Sequence, residues 1–288
     1  MDHVAILTSA AGVADAALDA AAQAFGAPAR RLSANAAELL LPDGDRHRTQ
    51  GSGATAGPGA GVLSSVDLNI LPAPNRKKSI FLADMDSTMI SVECIDELAD
   101  YAGQKTRVAE ITERAMQGEL DFEAALRARV ALLAGVTRAD VDACYETRVT
   151  VNPGAAELVG GMNDAGAVTA LVSGGFTVFT QKIAARLGFQ INRANTLEFD
   201  GDVLTGRVTG PIVSGATKLE TLNELVAAKG TDAQAVIAVG DGANDAAMVA
   251  AAGIGVAYCA KPALRSVADA VLDHSDLTAL LALQGIAA

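Results

Sequence analysis

Two acidic residues, Asp84 and Asp86, directly follow a short apolar run, Ile80 to Ala83. The run has the length of a buried strand, and in a doubly wound α/β sheet ligands bind just beyond the carboxyl ends of the strands. Two carboxylates in such a crevice can hold a metal ion, or one of them can attack an electrophile. A calcium-binding EF-hand loop is excluded, because its required Gly and Glu would fall on Met89 and Ile95. The remaining alternative is a solvated pair of acids at a strand end.

Two further apolar runs end in polar residues of complementary chemistry. Residues 168–172 lead into Ser173-Gly174-Gly175, a hydroxyl followed by backbone that a ligand can approach closely, although such a sequence is also common in plain turns. Residues 235–239 lead into a loop with two more carboxylates, Asp241 and Asp245. Together with the first acidic pair these side chains offer oxygen ligands at one crevice, which suits Mg²⁺ and its partial shell of water. The pattern therefore predicts a magnesium site with a hydroxyl beside it.

Lys218 begins an amphipathic run, residues 218–228, whose apolar positions share one face of a predicted helix. A lysine in such a place is usually a solvated surface residue. The functional alternative is an ammonium group beside a helix N-terminus, where both the charge and the helix dipole favour an anion.

A second cation, Arg129, falls on the apolar stripe of a helix that is predicted to start at Asp121, at about 100° per residue. The other residues of that stripe are Phe122, Leu126, Val130 and Leu133. Burying an unpaired cation costs free energy, so Arg129 needs a carboxylate partner. That partner is either an acid of the same helical block, in an internal salt bridge, or a substrate carboxylate held by the planar guanidinium.

The elements that would position these residues follow an α/β pattern. From about residue 166 onward strand-like runs alternate with helical ones, which predicts a doubly wound, mostly parallel sheet with helices on both faces. Residues from 92 to about 150 are helical instead, with Asp121 and Thr137 placed as N-caps. This block interrupts the sheet just after its first strand. We therefore predict a small helical cap inserted into a Rossmann-like core.

Residues 1–74 differ in sequence pattern from the rest of the chain. Their short strand-like runs and one helical run predict a small α+β unit. The Gly-rich residues 51–61 are expected to form a loop. Pro72 and Pro74 mark a boundary, so we predict two domains, 1–74 and 75–288, with the cap in the second. No candidate catalytic residue lies in the first domain, which we therefore expect to be dispensable for the chemistry.

The composition excludes several classes of function. The net charge of −12 argues against nucleic-acid binding, which depends on Lys and Arg neutralising phosphates. No basic segment precedes an N-terminal apolar stretch, and no uncharged run is long enough for a membrane span, so we expect a cytoplasmic protein. With three His and three scattered cysteines, neither a zinc site nor a disulfide framework is expected. Cys94, Cys144 and Cys259 are expected to be buried free thiols of a reducing compartment.

Four segments, taken together and in chain order, resemble the four motifs of the haloacid-dehalogenase-type phosphatases. They are Asp84-Met85-Asp86-Ser87-Thr88, Ser173-Gly174-Gly175, Lys218 and Gly240-Asp241-Gly242-Ala243-Asn244-Asp245. The resemblance covers the chain from about residue 78 to its C-terminus. It implies a Mg²⁺ ion held by Asp84, the backbone carbonyl of Asp86 and Asp241, with Asp245 in support.

The same resemblance implies a role in phosphoryl transfer for each motif. Asp84 is the nucleophile that forms an aspartyl-phosphate, which splits one difficult displacement into two steps. Asp86 lies close to a like charge, which is expected to raise its pKa and let it act first as the acid and then as the base. Ser173, the Gly174 backbone and Lys218 are expected to bind the phosphoryl oxygens, where negative charge must be stabilised.

Within that superfamily, residues 92–97 and 116–122 closely resemble the cap segments of the phosphoserine phosphatases. This implies hydrolysis of O-phospho-L-serine to L-serine and phosphate, with Arg129 on the substrate carboxylate and Glu93 on its ammonium. The substrate contacts implied in this way come from Glu93, Met116, Phe122, Arg129, Ser173, Gly174, Lys218 and Asn244. Met116 and Phe122 would help to exclude water when the cap closes.

Several alternatives remain open at this point. The same machinery would serve a phosphotransferase to another hydroxy amino acid, or a phosphatase of a related small phosphomonoester. A third alternative is a non-enzymatic amino-acid sensor in which residues 1–74 matter and the catalytic half is vestigial, but the intact Asp84, Asp86, Lys218 and Asp241 argue against it. Bacterial phosphoserine phosphatases often carry an ACT-like domain in the place of residues 1–74. The implied partner is a small molecule rather than nucleic acid or membrane, and the oligomeric state is left open, with a homodimer as the candidate assembly.

Overall fold

The computed structural model describes residues 2–41, 64–116 and 119–286. The loop predicted at residues 51–61 lies outside these ranges, and so does the side chain of Met116. None of the helices in the described ranges combines the length and apolar character needed to cross a bilayer.

A four-stranded antiparallel sheet with one helix forms the N-terminal part of the chain. Its elements are β1 (His3–Thr8), α1 (Asp15–Phe25), β2 (Ala29–Ser33), β3 (Ala36–Leu41) and β4 (Asp67–Pro72). The strand order is β2-β3-β1-β4, and α1 buries Ala17, Ala21 and Phe25. This is the α+β unit that the sequence predicts. Strand β2 is the element that was missed, because Arg30 and Arg31 are exposed on this edge strand and interrupt any apolar pattern.

The second sheet has seven strands and is the parallel sheet that the alternating pattern predicts. Its strands are β5 (Ile80–Ala83), β6 (Val168–Phe176), β7 (Ile191–Asp200), β8 (Val203–Thr209), β9 (Val236–Gly240), β10 (Ile254–Tyr258) and β11 (Ala270–Leu272). The order is β11-β10-β9-β5-β6-β7-β8, and every pairing is parallel except the β7–β8 hairpin. Strand β5 lies at the centre, between β9 and β6. The chain winds outward from it in both directions, which places a crevice at the carboxyl end of β5.

The helical cap lies between β5 and the rest of the sheet, as predicted. It consists of α2 (Cys94–Tyr101), α3 (Lys105–Met116), α4 (Phe122–Ala131) and α5 (Arg138–Arg148). The N-caps are those expected from the sequence: the Asp121 carboxylate accepts from the amide of Ala124, and Thr137 forms a reciprocal capping box with Asp140. These caps explain why α4 and α5 begin where they do.

Six helices follow the cap and cover both faces of the sheet. They are α6 (Ala155–Asp164), α7 (Thr177–Leu187), α8 (Gly215–Lys229), α9 (Ala246–Ala251), α10 (Pro262–Arg265) and α11 (Ala279–Leu283). Alternate residues of β5 serve the two faces: Phe81 belongs to the core shared with the cap, α6 and α7, whereas Leu82 belongs to the core shared with α8 and α9. The sequence prediction missed α6, α10 and α11.

The cap is joined to the edge of the sheet by backbone hydrogen bonds. The amide of Leu204 on β8 donates to Val136 at 2.8 Å, and the amide of Gly135 donates back to Leu204 at 2.9 Å. The guanidinium of Arg138 lies 3.8 Å from the ring centroid of Phe199 on β7. The C-terminal end of α4 and the start of α5 are therefore held on the β7–β8 hairpin.

The two sheets meet through side chains that bind backbone groups. The amide of Asn69 on β4 donates to the carbonyl of Val271 on β11 at 3.0 Å and accepts from the amide of the same residue at 2.9 Å. The carboxylate of Asp67 accepts from the amide of His274 and the hydroxyl of Ser275. These bonds satisfy edge-strand groups that would otherwise be unpaired.

The cysteines are all free, and one of them is not where the sequence prediction placed it. Cys94 and Cys144 are buried, but Cys259 is exposed. It follows β10 directly and has a φ of 45°, so its side chain belongs to a turn rather than to the core.

Candidate active site

Three neighbouring parallel strands bring the predicted acidic and hydroxyl side chains to one edge of the sheet. Ala83 at the end of β5 pairs with Val239 on β9 and with Leu171 on β6. The residues that follow these positions, among them Asp84, are therefore neighbours at the carboxyl edge of the sheet. This is the convergence that the strand-end motifs predict.

A cluster of three buried carboxylates lies at this edge. Oxygen atoms of Asp84, Asp241 and Asp245 all lie within 4.8 Å of one another. Three carboxylate oxygens at this spacing are a donor set that fits a small, hard cation such as Mg²⁺. The side chain of the fourth predicted metal residue, Asp86, is not part of this carboxylate group.

Lys218 lies between two of these carboxylates and is completely buried. Its Nζ is 2.7 Å from Oδ1 of Asp84 and 2.6 Å from Oδ1 of Asp245. Burial alone would lower the pKa of Lys218, but the charges of Asp84 and Asp245 outweigh it and raise the pKa, so the ammonium stays charged. The alternative of a solvated lysine is wrong. Helix α8 begins at Gly215 after the N-cap Ser214, so Lys218 lies in its first turn rather than at its first residue.

Asp245 holds the lysine and its own loop at the same time. Its Oδ1 accepts from Lys218, while its Oδ2 accepts from the backbone amides of Asp241 and Gly242 at 3.2 and 3.1 Å. A Cβ atom at Gly240 would lie 2.3 Å from this carboxyl group, which explains the glycine at the end of β9. Asp245 therefore fixes the conformation of the loop after β9, residues 241–245, through contacts that occupy both of its carboxylate oxygens.

Burial dominates the electrostatics of Asp84. It raises the pKa of the Asp84 carboxyl well above its usual range, although the charge of Lys218 acts in the opposite direction. A divalent cation on the carboxylate cluster would counter this effect and favour the ionised form. Burial likewise raises the pKa of Asp241 to about 6, with Lys261, 3.7 Å away, opposing the shift.

Asp86 lies in a different environment from Asp84. Its Oδ1 accepts from the amide of Cys94, the first residue of cap helix α2, at 3.1 Å, and its Oδ2 accepts from the hydroxyl of Ser173 at 3.3 Å. Burial and then the charge of Glu93 raise the pKa of Asp86 to about 7. The sequence prediction of a raised pKa is in line with this, but burial is the largest cause and the like charge that contributes most is Glu93 rather than Asp84.

The Ser173-Gly174-Gly175 segment lies within β6. The sequence prediction was wrong here, because it placed this segment after the end of the strand. The pairing of β6 with β7 shifts register between Val172 and Phe176, so these three residues leave the regular ladder and face the site. The amide of Gly175 donates to Oγ of Ser173 at 2.8 Å. A Cβ atom at Gly175 would lie 2.5 Å from Oδ2 of Asp86, so any other residue here would displace that carboxylate.

Of the side chains that the structure describes, the cap contributes three from the predicted set, those of Arg129, Glu93 and Phe122. Arg129 donates to the carbonyl of Ala125 at 3.3 Å, and among the described residues it forms no ion pair. Burial lowers the pKa of Arg129, and the charges of Asp96 and Glu93 partly oppose this. The internal salt bridge that was one alternative for Arg129 is therefore not formed with any described acid. Glu93 is exposed and accepts from the hydroxyl of Ser87 at 2.8 Å.

Phe122 is not part of the buried stripe of α4, which corrects the sequence prediction. Leu126, Val130 and Leu133 are buried, but Phe122 is 39% exposed. A Cβ atom at Gly174 would lie 3.3 Å from Cζ of Phe122, so the ring lies directly over the Ser173-Gly174 segment. The first residue of α4 thus covers the site instead of packing inside the cap.

Asn244 is exposed, and its amide lies 3.5 Å from Oδ2 of Asp84, so the structure places it at the edge of the carboxylate cluster.

Two further polar residues near the site were missed by sequence reasoning. Ser87 has a φ of 54° and aims its hydroxyl at Glu93. Asn195 is a buried amide on β7 whose only signal in the sequence is a polar residue inside a strand-like run.

Comparison with known proteins gives a consistent result. A sequence model of the haloacid dehalogenase-like hydrolases matches residues 81–250. The chain is 48% identical to a phosphoserine phosphatase of Albidiferax ferrireducens over 205 residues, 69% of this chain and 86% of that protein. A haloacid dehalogenase family hydrolase of Salmonella enterica serovar Typhi superposes with a TM-score of 0.84 at 30% identity and covers 98% of both chains. A structure described as a phospho-aspartyl intermediate analogue of phosphoserine phosphatase superposes with a TM-score of 0.66 at 40% identity, over 71% of this chain and 98% of its own.

Proposed function

The chain belongs to the haloacid dehalogenase-like hydrolases and, among them, to the phosphoserine phosphatases, and from this premise we propose how its residues hydrolyse O-phospho-L-serine to L-serine and phosphate. The observation that carries the proposal is that the two acids Asp84 and Asp86 have different partners. Asp84 is held by Lys218 at the carboxylate cluster, whereas Asp86 is held by Ser173 and by the first amide of the cap. One acid is placed to attack phosphorus, and the other to move a proton.

In the first step a carboxylate oxygen of Asp84 attacks phosphorus and the bond to the serine oxygen breaks. Asp86, whose raised pKa keeps a fraction of it protonated near neutrality, gives its proton to the departing oxygen. The products of this step are L-serine and an aspartyl-phosphate on Asp84. In the second step Asp86 takes a proton from water as that water attacks phosphorus, and the Asp84 carboxylate is released.

The phosphoryl oxygens need positive charge and hydrogen-bond donors that are in place before the reaction. Lys218, the hydroxyl of Ser173 and the amide of Gly174 are the groups of this chain that support that role. Asp84 and Asp241 are the residues that would hold Mg²⁺, with Asp245 in support through its bonds to the loop that carries Asp241. When bound there, the cation supplies positive charge that favours the ionised nucleophile and the transferring phosphoryl group.

The cap recognises the amino-acid part of the substrate in this proposal. The guanidinium of Arg129, which forms no ion pair with any described residue, binds the substrate carboxylate. The carboxylate of Glu93 binds the ammonium. Phe122, whose ring lies over Gly174, shields the reacting groups from water. Met116 completes the set as a residue at the end of α3, and its role rests on the sequence resemblance alone.

A phosphate-release assay over small phosphomonoesters tests this proposal. Phosphoserine should be hydrolysed in plain buffer without any added acceptor, which separates a phosphatase from a phosphotransferase. Chelation of divalent cations should abolish release, and added Mg²⁺ should restore it. Equal rates on phosphoserine, phosphoethanolamine and phosphoglycolate, or no release until a second hydroxy amino acid is added, would contradict the proposal.

A further inference from the structure

Asn195 is a buried amide that stands opposite the irregular part of β6. It is 1% exposed, and it pairs with Phe176, where the regular ladder between β6 and β7 resumes. Its Nδ2 donates to the carbonyl of Gly174 at 2.7 Å, and its Oδ1 accepts from the amide of Val213 at 2.8 Å. The side chain thus supplies hydrogen bonds at the place where the backbone ladder is interrupted.

The bond to Gly174 fixes the plane of one particular peptide unit. The carbonyl of that unit, from Gly174, accepts from Asn195, and its amide, from Gly175, donates to Oγ of Ser173 at 2.8 Å. The Ser173 hydroxyl in turn donates to Oδ2 of Asp86 at 3.3 Å. Because both polar groups of the peptide unit are engaged, it cannot rotate without breaking a hydrogen bond. The hydrogen bonds therefore run in one direction from Asn195 to Asp86.

The bond to Val213 connects the same side chain to a second element of the site. Val213 directly precedes Ser214, the N-cap of α8, and the first turn of that helix carries Lys218. One amide group therefore contacts both the strand segment that carries Ser173 and the segment that leads into the Lys218 helix. Among the described residues, Asn195 is the side chain that bonds to both segments.

We propose that Asn195 is a positioning residue for phosphoryl transfer, which sets the spacing between the Ser173-Gly174 donors and the Lys218 ammonium. It acts through those groups and touches neither the substrate nor the reacting atoms. This inference rests on the proposed function, because it assumes that these donors bind the phosphoryl group. Donors that are held in place before reaction stabilise a transition state more than donors that must first reorganise.

The test compares Asn195→Leu with a matched control, Asn69→Leu. Leucine is close to asparagine in size and adds no charge. Asn69 is also buried, at 7% exposure, and also bonds to backbone groups, but it lies at the junction of the two sheets. Three quantities are measured for each variant: kcat on phosphoserine, the affinity for inorganic phosphate by calorimetry with Mg²⁺ present, and the inhibition constant of L-serine.

For Asn195→Leu we expect kcat to fall roughly ten- to hundredfold, less than the loss typical of deleting an oxyanion donor outright. Phosphate should bind about tenfold more weakly or worse, while inhibition by L-serine changes by less than about twofold, because serine contacts the cap. Asn69→Leu should lose thermal stability but keep all three values. If Asn195→Leu does not fold, Asn195→Ala is measured in the same way.

Two results would overturn the inference. One is a kcat and a phosphate affinity in the Asn195 variants that stay within about threefold of wild type. The other is an equal weakening of phosphate and L-serine, which would indicate general loosening of the fold. Failure of the proposed function itself would show differently, as a wild-type protein that does not hydrolyse phosphoserine, and the phosphate affinity would still test Asn195 without any turnover.

Discussion

The acids of this site are distinguished by their neighbours rather than by their type. Asp84 and Asp86 are both buried aspartates two positions apart, yet the first contacts an ammonium group and the second contacts a hydroxyl and a backbone amide. The ammonium group opposes the rise in the pKa of Asp84 that burial causes, and in this way it favours the ionised carboxylate that a nucleophile needs. Asp86 has no such cation among its hydrogen-bond partners, and burial leaves its pKa near the pH at which an acid can also serve as a base.

A prediction about pH follows from this environment. Asp86 must be protonated to act as the acid, and its pKa is raised to about 7, so kcat/KM on phosphoserine should fall as the pH rises above about 7. Glu93→Gln removes a negative charge that raises this pKa. The pKa should then decrease, and the falling limb of the pH profile should move to lower pH, whatever happens to the absolute rate.

Glu97→Gln is the control for this prediction, since Glu97 lies in α2, the helix that has Glu93 as its N-cap residue, but pairs with Arg148 at 3.5 Å. In Glu97→Gln the falling limb of the pH profile of kcat/KM should lie at the same pH as in the wild type. A profile of kcat/KM that does not bend near neutrality, or a limb that is unmoved in Glu93→Gln, would contradict the account of Asp86.

At the residue scale the sequence predicted the groups that carry charge and missed those that bind backbone. Asp84 and Asp241 could be found because carboxylates directly after buried strands carry a signal, whereas Lys218 was singled out mainly through the family resemblance. Asn195 could not, because its partners are a carbonyl and an amide that become neighbours only in the folded sheet. The exposed Cys259 was missed for a related reason, because its exposure follows from a backbone turn and not from residue type.

Among the elements, α4 has the largest effect on substrate choice in this account. Its first residue, Phe122, covers the Ser173-Gly174 segment, and two turns later Arg129 faces the region of Glu93 and Asp96. The segment that follows its C-terminal end is bonded to the β7–β8 hairpin through Val136. The helix is thus anchored to the core at one end and lies over the site at the other, an arrangement that suits recognition by closure.

Arg129→Ala should discriminate between substrates with and without a carboxylate. Loss of one partner of a desolvated charge pair costs about 2–5 kcal/mol, which is a roughly thirtyfold to several-thousandfold loss of kcat/KM on phosphoserine. Phosphoethanolamine, which has no carboxylate, should be a poor substrate of the wild type and should lose far less. The measurement is kcat/KM for both compounds on both proteins.

Arg127→Ala provides the matched control on the same helix, because Arg127 is exposed and pairs with Glu123 one turn away. An exposed pair of this kind is worth little, so kcat/KM should change by less than about threefold on either substrate. Equal losses on phosphoserine and phosphoethanolamine in Arg129→Ala would mean that Arg129 only stabilises the cap.

The elements themselves could be predicted where an apolar period was clear. The strands that carry the motifs, the inserted cap and the N-caps of α4 and α5 were all expected from the sequence. Helix α6 was missed although Ala155, Leu158, Val159 and Met162 form a helical stripe, because Gly160 and Gly161 lower the helix propensity. The extension of β6 to Phe176 was missed because two glycines are more typical of a turn.

For the whole molecule, the N-terminal sheet is packed on the catalytic part rather than tethered to it. Val4, Ile6 and Leu71 belong to the same apolar core as Leu280 and Leu283 of α11. The Asn69 and Asp67 side chains also complete the hydrogen bonding of the chain around β11. Yet the phosphoserine phosphatase structure matches only 71% of this chain while being covered over 98% of its own length, so it has no counterpart of the remainder.

A shortened chain that begins at Asn75 tests whether residues 1–74 contribute to thermal stability, to catalysis or to both. We propose that residues 75–288 form the catalytic domain, since every candidate site residue lies there. Removal of residues 1–74 exposes apolar surface on α11, so the melting temperature should fall. The turnover per folded molecule should stay within about tenfold of the full chain, equal to about 1.4 kcal/mol in the activation barrier.

Thermal unfolding and kcat, both measured at a temperature where the shorter chain is folded, check this prediction. A folded but inactive shorter chain would show that the N-terminal sheet takes part in the chemistry or in an interface that the chemistry needs.

The central claim is that Asp84 carries the phosphoryl group during turnover, and trapping that intermediate tests it most directly. Protein turning over phosphoserine with Mg²⁺ is quenched in acid, and the intact mass and the phosphorylated peptide are determined. The account predicts one covalent phosphoryl group on Asp84 in the wild type, and neither adduct nor turnover in Asp84→Asn. A phosphoryl group found on Asp86, or an Asp84→Asn protein that still hydrolyses phosphoserine, would contradict it.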